Sequence, residues 1–161
     1  MQPLNWREKF AGIFTLFFGI LILALFILDN TSSQSADVSY AGGKIQISKG
    51  ALFQTIRSVI ALLIAIIGGI ALLKGKRIGW IMSFAFLLFI MLISGYYTVL
   101  TGMLVLMGPM IASSIVSFFS LISIIFLLIT STRQKFRVSS KTILPTLVFL
   151  MAIGAVFFFL Q

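Results

Sequence analysis

The sequence predicts an all-α membrane protein, a bundle of five transmembrane helices with a small β-hairpin in the loop after the first helix. Of the 161 residues, 60% are hydrophobic and only 9% are charged, against about 25% charged residues in soluble domains. The apolar residues form long uncharged runs, and the basic residues cluster between these runs. Each run approaches the roughly 20 residues that cross a bilayer. We therefore expect residues 1–161 to form a single transmembrane domain.

The predicted spans cover residues 10–28, 51–73, 78–100, 110–129 and 142–160. A cleaved signal peptide is an alternative interpretation of the first run and would leave four helices. The apolar part of a signal peptide is usually about 7 to 15 residues long, and this run is longer. We therefore expect the first run to remain as a membrane helix, with residues 29–50 as the loop that follows it.

The third and fourth spans come from one uncharged run between Ile78 and Thr130. As a single helix this run would be about 80 Å long, whereas the hydrocarbon core is about 30 Å thick. The run must therefore fold back on itself. Gly102, Gly108 and Pro109 place the expected hinge at residues 101–109. Residues 103–107 either extend the third helix or lie in the headgroup region.

The basic residues predict the orientation. Five spans place nine of the twelve Lys and Arg residues on one side, and these are Arg7, Lys9, Lys74, Lys76, Arg77, Arg133, Lys135, Arg137 and Lys141. Lys44, Lys49 and Arg57 fall on the other side. Since basic loops stay in the cytoplasm, we expect a cytoplasmic N-terminus and an external C-terminus. A bacterial inner membrane is favoured over a eukaryotic plasma membrane.

The net charge of +9 would suggest nucleic acid as the partner of a soluble protein. Here the cations flank membrane spans, where attraction to anionic lipid headgroups is worth about 1 kcal/mol per residue. We therefore expect the partners to be the bilayer itself, anionic headgroups at the cytoplasmic face, and other membrane subunits or further copies of the chain. No nucleic-acid partner is expected.

A β-hairpin is predicted in the external loop, turning at Gly42 and Gly43. Paired glycines supply the positive φ angles that two-residue hairpin turns need. Residues alternate on both sides of the turn, so that one face is apolar, and its residues are Val38, Tyr40, Ile45 and Ile47. Because a lone hairpin is marginally stable, this face is expected to cover the helix ends or to form a docking surface for a partner.

Two sets of small or polar residues fall on single helix faces. On the second helix the set is Arg57, Ala61, Ala65 and Gly69, which are spaced by four, so another helix can approach closely. Arg57 either reaches the outer interface or turns inward along this face. On the fourth helix the set is Ser113, Ser117, Ser120 and Ser123, and on the third it is Ser83, Ser94, Tyr97 and Thr101. These hydroxyls either line a polar path or bond within and between helices.

The missing residue types exclude several kinds of chemistry. The chain has no Cys and no His, and its three acids, Glu8, Asp29 and Asp37, lie outside the predicted spans. These absences disfavour zinc and haem sites, thiol nucleophiles and carboxylate proton relays. We expect no catalytic, cofactor-binding or metal residues. The expected function is that of a non-catalytic subunit or interaction component of a membrane assembly. An oligomeric channel or small-solute transporter is the alternative, and an enzyme acting on lipid-borne substrates is the third possibility.

Overall fold

The computed structural model of the chain describes residues 5–32, 38–41, 44–47, 49–104 and 106–159. In chain order their elements are α1 (Trp6–Ser32), β1 (Val38–Ala41), β2 (Lys44–Ile47), α2 (Lys49–Leu73), α3 (Arg77–Met103), α4 (Met107–Leu128), α5 (Thr130–Lys135) and α6 (Ser140–Phe159). All of these helices except α5 are long and apolar enough to cross a membrane. The prediction of five such helices is confirmed for the described part of the chain.

α1 and α2 are longer than predicted, because α1 ends at Ser32 and α2 begins at Lys49, so both enter the predicted loop 29–50. Two further differences lie in the second half of the chain. α3 continues to Met103 and α4 starts at Met107, so the chain reverses within the expected hinge but over fewer residues. Pro109 then falls in the first turn of α4, where a missing backbone N–H breaks no helical hydrogen bond. The second difference is α5, a six-residue helix in the linker before the last span. This short helix was not expected from the sequence.

α3 is the central helix of the bundle. It packs against α1, α2, α4 and α6, and it is the most buried of the five candidate spans. Trp80 and Leu87 belong to a buried cluster with Leu72 and Leu127. Phe86, the residue before Leu87, belongs to a second cluster with Phe18, Ala61 and Ala65. The core therefore has two clusters, and α3 contributes to both.

The turn between α2 and α3 brings these two helices unusually close. Gly75 adopts a φ of +68°. Its amide donates to the carbonyl of Leu72, the amide of Lys76 donates to the carbonyl of Ala71, and each N···O distance is 2.9 Å. This is the Schellman arrangement, which favours glycine at the left-handed position. At Gly79 a Cβ atom would lie 2.1 Å from the backbone nitrogen of Leu72. Only glycine fits this crossing.

The two strands β1 and β2 pair antiparallel, with Val38 opposite Ile47 and Tyr40 opposite Ile45. The expected turn at Gly42 and Gly43 lies outside the described residues, as do the side chains of both strands. The apolar face of the predicted hairpin, and what that face covers, therefore stay predictions.

Candidate functional site

The most distinctive site in the described part of the chain is a cavity of about 250 Å³ beside Arg57. Four helices form its walls, because α1 and α6 close the sides of a groove between α2 and α3. Nine of its lining residues are Ala, Ile or Phe, and the two polar ones are Arg57 and Ser58. The site is thus an apolar chamber with one cation at one end.

Arg57 itself is half-buried. Its guanidinium carbon lies 5.7 Å from the centre of the Phe157 ring on α6, within the range of a cation–π contact. Among the described residues it has neither an ion pair nor a hydrogen-bond partner. Its five N–H donors are therefore not used by the described protein groups. Arg57 therefore lines the cavity and contacts α6, and the choice between the outer interface and the inward-facing orientation stays a prediction.

The small residues of α2 lie along the contact with α1. Ala65 is fully buried, and a Cβ atom at Gly19 would lie 3.2 Å from the Cβ of Ala65. A Cβ at Gly69 would lie 2.7 Å from the side chain of Leu16. Ala61, at the other end of the set, is buried and lines the cavity. One helix face therefore serves both the α1–α2 contact and the wall of the site.

The chemistry available at the cavity is that of ion pairing and apolar contact. Arg57 supplies a positive charge, and Ser58 supplies one hydroxyl. Neither a carboxylate nor an imidazole is among the lining residues. No protein-family model, curated protein or solved structure matches the chain. The arrangement suits binding of an anionic apolar molecule better than acid–base catalysis.

The serines of α4 face α3. Ser113 accepts a hydrogen bond of 2.9 Å from Thr98 on α3, and Ser117 lies beside Gly95. Ser120 and Ser123 are fully buried, and Ser123 donates to the carbonyl of Phe119 in its own helix. The hydroxyl of Ser120 has no hydrogen-bond partner among the described residues. This face is occupied by the neighbouring helix.

The hydroxyl set on α3 is divided between several environments. Ser83 is buried near Gly68 of α2. Ser94 and Thr101 are buried and donate to the carbonyls of Ile90 and Tyr97, one turn earlier. Tyr97 itself is exposed on the outside of the bundle. The structure therefore does not bring these four side chains together in one path.

A second polar site, not predicted from the sequence, lies at the end of the bundle where α1 and α6 begin. Glu8 is fully buried and its Oε2 lies 2.5 Å from Nζ of Lys135. The same oxygen accepts a 3.0 Å hydrogen bond from the amide of Asn5. Arg77 donates to Thr142, and the Trp80 indole donates to the carbonyl of Leu127 over 3.0 Å. These bonds join the ends of the helices to each other.

The sequence carried one signal for this second site. Glu8 is the sole acid among the basic residues at this end of the chain's helices, and an isolated carboxylate among cations is expected to pair with one of them. Its partner lies 127 residues away in sequence. Several Lys and Arg residues compete for that role, so the choice of Lys135 depends on the tertiary packing.

Proposed function

We propose that the protein is a non-catalytic component of a membrane assembly, which contacts other membrane subunits or further copies of itself through its outer helix faces. The observation that carries the proposal is that its buried hydroxyl groups bond mainly within their own helices. In the described spans, most of the hydroxyls that face the bundle donate to carbonyls of their own helix, as Thr15, Ser94, Thr101, Ser123 and Thr146 do. Such groups contribute to packing.

The same observation weakens the alternative of a conduit. A polar path needs hydroxyls that face a common space, whereas the serines of α4 face α3 directly. The sequence has no acid within the long apolar part of any span, and a carboxylate relay is the usual device for proton-coupled transport. An assembly role requires neither feature.

The helix with the most free surface for a partner is α6. It packs mainly on α3, and it is the least buried of the five candidate spans. Three exposed apolar residues recur at helical spacing on its outer side, namely Leu144, Val148 and Met151. Packing of a neighbouring helix against one such face is how membrane helices associate laterally. We assign the assembly surface to these three residues.

We further propose that the basic end of the bundle is cytoplasmic and that the paired strands lie on the external side. The nine-to-three distribution of Lys and Arg supports this orientation. The strands would then cover the external ends of the helices or meet a partner there. We propose a bacterial inner membrane rather than a eukaryotic plasma membrane, and attraction of the basic end to anionic headgroups would hold that orientation.

The assembly proposal is tested by photo-crosslinking in intact membranes, followed by purification in mild detergent. A photoreactive residue at Val148 is expected to capture a stoichiometric membrane subunit or a second copy of the chain. A matched residue at Ile13, which is exposed to a similar degree on α1, is the control and should capture mainly lipid. A chain that purifies alone and crosslinks only to lipid at Val148 would refute the proposal.

A further inference from the structure

We propose that the cavity beside Arg57 binds one acyl chain of an anionic phospholipid, whose phosphate pairs with the guanidinium of Arg57. The inference is independent of the assembly proposal, because it concerns a different face of the molecule. It combines three properties of the site, which are an apolar lining, a charge without an ionic or hydrogen-bond partner among the described residues, and a position close to the membrane boundary.

The lining fits a hydrocarbon chain. The inner walls are formed by side chains such as Ile64, Phe86 and Ile153, which contribute no polar side-chain atom. An apolar cavity of about 150 Å³ in a soluble protein stays free of water and binds small hydrocarbons, and this cavity has a volume of about 250 Å³. From Arg57 to Ile64 it follows α2 for about 10 Å at 1.5 Å per residue. That length accommodates part of an acyl chain aligned with the helix.

The charge selects the headgroup. The planar guanidinium can donate two parallel hydrogen bonds to a phosphate, which is the pairing for which arginine is best suited. Because no described residue forms an ion pair with Arg57, an incoming phosphate displaces no ionic partner there. A lipid with net negative charge is preferred over a zwitterionic one, since the latter brings its own ammonium group close to the arginine.

The expected depth of Arg57 in the membrane matches that of a phospholipid headgroup. Arg57 is the seventh residue of the predicted span 51–73, so it lies about 9 Å along the helix from the start of that span, within reach of the interface for a long arginine side chain. The cavity is partly open and continues from Arg57 toward the middle of the bilayer. A phospholipid in this position would keep its phosphate at the interface while one chain enters between α2, α3 and α6. The ligand is thus a component of the membrane that surrounds the protein.

The test is native mass spectrometry of the full chain in detergent, titrated with phosphatidylglycerol or with phosphatidylcholine of the same acyl chains. We expect phosphatidylglycerol to bind about tenfold more tightly, because a contact to a charged group is typically worth enough for one order of magnitude. The R57Q variant should lose this preference at the tightest-binding site. The K74Q variant removes one cation of the basic end, in the turn after α2, where headgroups are attracted away from the cavity, so it should keep the preference at that site.

A second variant tests the acyl-chain part of the proposal. Ala61 lines the cavity, so A61L should fill it and weaken binding of both lipids about equally. Glycerol phosphate, which has the headgroup chemistry without the chains, should not compete at the same concentration. If R57Q unfolds, R57K replaces it and should keep part of the preference.

Three results would overturn the proposal. These are equal binding of the two lipids by the unmodified chain, an unchanged preference in the Arg57 variant, or full competition by glycerol phosphate. Occupation of the cavity by a partner helix would give the first of these results, since lipid would then bind only at unselective surface positions.

Discussion

Gly79 forms the tightest helix contact in the described bundle, at the crossing of α2 and α3. A methyl group there would lie 2.1 Å from the nitrogen of Leu72 and 2.3 Å from the carbonyl carbon of Ala71. Both are backbone atoms, so no side chain can rotate away to make room. The contact requires that position 79 lack a side chain, and it explains how α3 can be the most buried helix.

We therefore predict that G79A destabilises the protein by about 1 to 3 kcal/mol or more, the range found for overpacked cores. The measurement is reversible unfolding in mixed micelles, followed by circular dichroism. G154A is the matched control, because a Cβ atom at Gly154 meets nothing within 4 Å and alanine favours the helix by about 0.5 to 1 kcal/mol. Equal stability of G79A and G154A would show that the crossing is looser than described.

The buried ion pair of Glu8 and Lys135 makes a second prediction at this scale. Breaking a buried pair from one side typically costs about 3 to 5 kcal/mol, whereas replacing both partners with apolar residues is often close to neutral. We expect Glu8→Leu alone to lower the free energy of unfolding by about 3 kcal/mol. The double variant Glu8→Leu with Lys135→Met should recover most of that loss. Additive losses in a double-mutant cycle would contradict a direct coupling of the two side chains.

Single residues also show the limit of what this sequence predicts. Arg57 was a candidate from sequence because a charge inside an apolar run is costly and needs a reason. The cavity was not predictable, since its walls come from four helices whose relative rotation depends on packing. The pairing of Glu8 with Lys135 has the same origin. Residue type indicates that a group needs a partner, and the tertiary structure determines which one.

At the scale of elements, the contact between α1 and α2 depends on small residues from both helices. Gly19 and Ala65 meet across it, and Gly69 lies beside Leu16. Bilayer lipid is as apolar as the helix surfaces, so close van der Waals contact between small residues is a main source of stability there. The spacing by four on α2 predicted this face, because helical geometry alone places those residues together.

A larger side chain at this contact should force the two helices apart. We predict that A65L destabilises the protein by about 1 to 3 kcal/mol, because Ala65 is fully buried and a Cβ at Gly19 would be only 3.2 Å from it. The control is I67L, a change of shape without added volume at a half-exposed position of the same helix, which should alter stability little. Thermal unfolding of the two variants in the same detergent makes the comparison, and an unaffected A65L protein would contradict it.

Other elements differed in how well they could be predicted. The reversal between α3 and α4 followed from length, since an uncharged run far longer than the bilayer must turn, and glycine and proline marked the place. α5 has six residues, too few to show a helical period of apolar residues. It was therefore missed within a polar linker. The length of the uncharged run therefore predicted the helix reversal, whereas local helix propensity did not predict α5.

At the scale of the whole molecule, the membrane helices alternate in direction, and most of the basic residues lie at one end of the bundle. Nine of the twelve Lys and Arg residues lie at the starts of α1, α3 and α6, in α5, and in the turns that precede α3 and α6. Direct bonds join these ends, including those between Glu8 and Lys135 and between Arg77 and Thr142. The charge asymmetry predicted from the sequence thus corresponds to one connected end of the described bundle.

The central claim is that this bundle spans a membrane with its basic end in the cytoplasm, and single-cysteine labelling tests it most directly. The chain has no cysteine of its own, so cysteines placed singly at Lys44, Lys76, Lys135 and Gln161 report position without background. An impermeant thiol reagent added to intact cells should label positions 44 and 161, and should label positions 76 and 135 only after the cells are opened. Labelling of position 76 from outside intact cells would contradict the account.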